Sequence, residues 1–72
     1  MNLEKIVLDV FASGSGQAHS EDMLFTEVIN QHKELIDRSN DIRAAISSLI
    51  NKGFIVHDKQ MPNWIKLEKN KL

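Results

Sequence analysis

At Gly53 the apolar pattern of the chain changes period, and that switch constrains the fold more than any other feature. Before it, Ile42, Ala45, Ile46, Leu49 and Ile50 recur at three- and four-residue spacing, which lines one face of an α-helix. After it, Phe54-Ile55-Val56-His57 forms a short β-rich run, and Trp64-Ile65-Lys66-Leu67-Glu68 alternates with period two. Gly53 stands where a left-handed C-terminal cap needs a residue without Cβ. Lys59-Gln60-Met61-Pro62-Asn63 joins the two runs, and Pro62 belongs in that connection because it has no N–H to give to a ladder. A helix followed by a β-hairpin is therefore expected.

Upstream, Leu3, Ile6, Val7, Val10 and Phe11 mark one face of a first helix, roughly Asn2 to Ala12. Ser13-Gly14-Ser15-Gly16-Gln17 makes continued helix costly and predicts a flexible connection. Ser20 is placed to cap a second helix, with Glu21 and Asp22 where the helix dipole favours negative charge. Met23, Leu24, Val28 and Ile29, with Phe25 alongside, give that helix its expected buried stripe. Periodicity fades near Gln31 to Lys33. Leu35 and Ile36 then lie among polar residues, and Ser39-Asn40-Asp41 predicts a turn or N-cap before the third helix. The tail Lys69-Asn70-Lys71-Leu72 is expected to be frayed.

Seventy-two residues without a cysteine are expected to form one domain, 1–72, held by one compact core rather than by disulfides or thiolate metal sites. Such a chain has little room for a catalytic cleft, and no enzyme activity is expected. His19, His32 and His57 show no HxH or HExxH spacing, so no metal or other cofactor is expected. Ser13-Gly14-Ser15-Gly16 lacks the Gly-Lys-Ser/Thr of a phosphate loop. No segment has a signal-peptide pattern, and Leu3 to Phe11 is interrupted by Glu4, Lys5 and Asp9. The expected setting is cytoplasmic or nuclear, reducing, without membrane contact.

The order of helix, helix, Ser/Asn/Asp turn, Ile/Leu-striped helix ending in Lys52-Gly53, then hairpin resembles the winged-helix superfamily. The segment from Asp41-Ile42-Arg43-Ala44-Ala45-Ile46 through Ser47-Ser48-Leu49-Ile50-Asn51-Lys52-Gly53-Phe54-Ile55 carries most of the likeness. The resemblance implies an α+β winged helix: a three-helix bundle with a C-terminal two-stranded β-hairpin wing, the third helix being the recognition element. The stretch His19-Ser20-Glu21-Asp22-Met23-Leu24-Phe25-Thr26-Glu27-Val28-Ile29-Asn30-Gln31 also resembles the C-terminal winged-helix domain of cullin-like scaffold proteins, which works through protein contacts. Val10-Phe11-Ala12-Ser13 stands where cullins carry their modified lysine stretch, so no ubiquitin-like modification site carries over.

Net charge is −1, but from Met1 to Asp37 two basic residues face seven acidic ones, and from Arg38 to Leu72 seven basic residues face three acidic ones. A dipolar surface is expected if the two halves form different faces. Opposite its core stripe the third helix presents Asn40, Arg43, Ala44, Ser47, Ser48 and Asn51. On a DNA-binding reading, Arg43 suits a guanine edge, Asn40 or Asn51 an adenine edge, and Arg38, Lys52, Lys59 and Lys66 the surrounding phosphates. On a plainer reading the helix face is merely solvated and the hairpin lysines discourage edge-to-edge pairing. Trp64 either stacks on a base or covers the core. Two functions follow as expectations: a transcriptional or replication accessory regulator binding double-stranded DNA, or a protein–protein interaction module of a cullin-like or other assembly. Either would act as a monomer or weak homodimer.

Overall fold

A computed structural model describes residues 2–68 and 70. Helix α1 spans Leu3–Ser13. Asn2 is its N-cap rather than its first residue, because the side-chain oxygen accepts the Lys5 amide at 3.2 Å and satisfies a first-turn donor. Helix α2 spans Glu21–Gln31, and Ser20 caps it as expected, its hydroxyl oxygen accepting the Met23 amide at 3.2 Å. A 3₁₀-helix, Lys33–Arg38, leads directly into α3, Ser39–Asn51. The expected Ser/Asn/Asp cap is not used there: no side chain caps α3, and the Ser39 hydroxyl donates back to the Ile36 carbonyl at 2.7 Å.

The three helices close around Val7, Val10, Phe11, Leu24, Val28, Leu35, Ile42, Ala45, Ile46 and Leu49, with Ile55 and Ile65 from the strands completing the cluster. Leu3, Ile6, Phe25, Ile29 and Ile50 pack half-buried against it. One expected core member falls outside, and Ile36 is exposed beside the buried Leu35. Met23 is 50 % exposed, because the stripe of α2 is set by Leu24 and Val28 and a neighbour in sequence turns about 100° away. Ile36 is 59 % exposed, because the tight 3₁₀ turn buries Leu35 and carries the next residue off that side.

Helix α3 ends in a Schellman motif. The Gly53 amide donates to the Ile50 carbonyl at 3.1 Å and the Phe54 amide to the Leu49 carbonyl at 3.0 Å, with Gly53 at φ 83°. The positive φ required by the period switch is thus observed. Because Asn tolerates this region and a β-branched side chain does not, Gly53→Val is expected to cost about 1 to 2 kcal/mol more than Gly53→Asn. Chemical denaturation of the two variants checks this, and equal midpoints would contradict it.

Strands β1 (Gln17–Ala18), β2 (Ile55–His57) and β3 (Ile65–Leu67) form one antiparallel sheet in the order β1-β3-β2. The expected two-stranded hairpin is therefore part of a three-stranded sheet. Ile55 faces Leu67 and His57 faces Ile65 across β2 and β3, while Gln17 faces Lys66 and Ala18 faces Ile65 across β1 and β3. The Ser/Gly segment expected to be flexible is instead tied into this sheet. Gly16, at φ 72°, donates its amide to the Phe11 carbonyl and accepts the Leu67 amide, both at 3.1 Å. Composition marks where such a turn occurs but not the backbone bonds that fix it.

The β2–β3 connection is built on Asp58, whose carboxylate accepts the Gln60 amide at 2.8 Å and the Met61 amide at 3.1 Å. Pro62 lies in this connection, as expected, and its carbonyl meets His57 Nδ1 at 2.8 Å. The Gln60 and Met61 amides, with help from Lys66, hold the Asp58 carboxyl below the ordinary aspartate value. A depressed carboxyl stabilises the turn fully above that ordinary value and ceases to do so as pH falls through its lower folded value. Amide exchange at Gln60 and Met61 is accordingly expected to lose protection only in strongly acidic solution, and in Asp58→Ala at any pH. Unchanged protection in Asp58→Ala would contradict this. The tail from Lys69 onward, expected to be frayed, lies outside the described residues apart from Asn70. No described helix is long and apolar enough to cross a membrane.

Candidate nucleic-acid interface

With Ile42, Ala45, Ile46 and Leu49 turned into the core, the opposite face of α3 must meet solvent, and Asn40, Arg43, Ala44, Ser47 and Asn51 are all exposed along it. Ser48, expected on the same face, is half-buried and its hydroxyl donates to Glu4 at 3.4 Å. Between Asn40 and Asn51 this outward face carries small or uncharged polar side chains apart from Arg43, and the one acid of α3, Asp41, sits in its first turn. Helix α2, by contrast, exposes Glu21, Asp22 and Glu27.

Four of the expected site cations are paired with carboxylates. Arg43 Nη1 lies 2.8 Å from Asp22 Oδ1 at the start of α2, and its guanidinium sits over the Phe25 ring, 4.1 Å from the centroid. Lys52 Nζ lies 2.9 and 3.2 Å from the two carboxylate oxygens of Glu4 on α1. Arg38 Nε pairs with Asp41 Oδ2 at 3.2 Å. Lys66 Nζ reaches Asp58 Oδ2 at 4.0 Å. Among the described residues Lys59, exposed at the tip of the hairpin, has no carboxylate partner within ion-pairing distance.

Two of these pairs bring acids of the first half of the chain onto cations of the second. Helices α1 and α2 both pack against α3 and so bring Glu4 and Asp22 to its cations. Sequence reasoning missed both acids as parts of this face. They stand 48 and 21 residues from their partners, beyond any local spacing rule, whereas Arg38 and Asp41 at i and i+3 carry a local signal.

The eight expected site residues fall into two groups. Arg38, Asn40, Arg43, Ser47, Asn51 and Lys52 lie on or at the ends of α3, all exposed. Lys59 and Lys66 belong to the hairpin. On β3, Ile65 is fully buried, so strand alternation turns Lys66 to the outer face of the sheet. Trp64, expected either to stack on a base or to cover the core, is half-buried with its ring stacked on His19, centroids 4.0 Å apart and planes 27° from parallel. That stack borders a groove of about 500 Å³ where His19, Asp22 and Arg43 approach His57 and Pro62 of the hairpin. Among the described residues no three His, Asp or Glu side chains are grouped to hold a metal ion.

Comparison with known proteins gives no matching family model, no significantly similar curated protein and no significantly similar solved structure.

Proposed function

We propose that this chain is a winged-helix module that binds double-stranded DNA, with α3 read into the major groove and the β2–β3 hairpin laid along the backbone as the wing. The observation that carries the reading is the outward face of α3. A helix can approach base edges only if its exposed side chains are small or able to pair with them, and Asn40, Arg43, Ala44, Ser47 and Asn51 meet that condition. Arg43 would address guanine through its two-pronged donor set and Asn40 or Asn51 adenine. Arg38, Lys52, Lys59 and Lys66 would meet phosphates. In the cell such a module would serve as a transcriptional or replication accessory regulator.

The ion pairs favour a second reading, a protein-interaction module, because a face whose cations are already matched by carboxylates is suited to a neutral, hydrogen-bonding partner. DNA is preferred because these pairs are half or more exposed on at least one side, and exposed pairs are weak enough for phosphate to displace. Backbone amide shifts during titration with a mixed-sequence duplex test the choice. Perturbations are expected at Asn40, Arg43, Ser47 and Asn51 and at the Lys59 tip. Shifts confined to α1 and α2, or none, would overturn the DNA reading.

A further inference from the structure

We propose that Asp22 and Glu4 act as internal competitors for the cations of α3, so that phosphate attraction alone holds DNA weakly at this face and base contacts supply the discrimination. The inference rests on the DNA reading and concerns the regulation of that same face. Its basis is geometric. The Asp22 carboxylate occupies one guanidinium nitrogen of Arg43 at 2.8 Å while the Phe25 ring covers the guanidinium plane at 4.1 Å. Both carboxylate oxygens of Glu4 hold the Lys52 ammonium, at 2.9 and 3.2 Å, and one also accepts the Ser48 hydroxyl at 3.4 Å.

A carboxylate oxygen presents to these donors the same charge and acceptor geometry as a phosphate oxygen. To give a phosphate the donor now held by its acid, each cation must exchange one for the other, and the acid left behind stays beside the phosphate backbone and gathers a counterion. That uptake offsets the counterion released from the DNA, so each such exchange adds little to affinity or to salt dependence. A random duplex offers only the exchange. A preferred sequence adds the base-edge contacts of Arg43, which a carboxylate does not imitate. Asp22 and Glu4 are thus positioning residues that raise discrimination at the expense of non-specific affinity.

The test measures affinity for a random-sequence duplex as a function of salt, by fluorescence anisotropy, for the wild type, Asp22→Asn, Glu4→Gln and the double variant. Asp9→Asn serves as the charge control, since Asp9 pairs with Lys5 on α1 and touches no cation of α3. Asp22→Glu serves as the conservative variant, and thermal melting verifies the fold of each. Each neutralisation is expected to tighten binding about two- to fivefold at low salt, as loss of an exposed competing pair implies. Each should also steepen the salt slope by about one unit. Asp22→Glu should remain near wild type. If the wild type binds and Asp22→Asn or Glu4→Gln leaves affinity and slope unchanged, the competition is overturned while the DNA reading stands. Equal tightening by Asp9→Asn would overturn it too, because net charge alone would then explain the gain. Failure of every form to bind overturns the DNA reading and the competition together.

Discussion

Leu49→Ala is expected to lower the melting temperature by about 10 to 30 °C or to abolish cooperative folding. Leu49 is 1 % exposed in the middle of the α3 stripe, and the same residue supplies the carbonyl that caps the helix through Phe54. Truncating a buried leucine costs about 2 to 5 kcal/mol, the spread reflecting how far the neighbours relax into the space. In a domain of this size each kcal/mol is worth about 4 to 8 °C. Total stability at this length leaves little margin for such a loss. A melting temperature within a few degrees of wild type would mean that α3 does not anchor the core.

The second large effect concerns binding. Arg43→Ala is expected to weaken binding to the preferred duplex by about 1 to 3 kcal/mol and to relax preference at one base position, as loss of a two-pronged guanine contact implies. Lys59→Ala should weaken every sequence alike and lower the salt slope by about one unit, because a hairpin-tip lysine reaches only phosphate. The two losses differ in kind, and affinities for a set of single-base variant duplexes separate them. Neither change should disturb the fold much. Arg43 loses one exposed pair and one ring contact, together about 1 kcal/mol or slightly more, and Lys59 is exposed. A uniform loss of affinity across sequences in Arg43→Ala would show that the guanidinium meets backbone rather than bases.

How much of this was legible in the sequence varied with the range of the interactions involved. Helices α1, α2 and α3 were legible because their apolar stripes repeat locally, and Gly53 because a left-handed cap leaves few residue choices. Strand β1 was not, because two residues carry no periodicity and are held by backbone bonds to β3, nearly fifty positions away. Met23 failed as a core residue for a related reason: hydrophobicity shows that a side chain can be buried, while the phase of the helix decides whether it is. The exposed face of α3 followed directly from its buried one. Its electrostatics did not, since Glu4 and Asp22 reach Lys52 and Arg43 only through the packing of three helices.

The most direct measurement is a titration of the wild-type chain against a mixed-sequence duplex at roughly 50 and 200 mM salt, the range over which counterion release is pronounced. On the DNA reading the four cations assigned to phosphate, Arg38, Lys52, Lys59 and Lys66, set an upper slope of about −3.6, and displacing the two close carboxylates among their partners, Asp41 and Glu4, reduces it to about −2. Affinity should therefore fall by about fifteenfold or more between the two conditions. Absence of binding at the lower salt, or an affinity that does not change between them, would contradict DNA recognition by α3 and the hairpin.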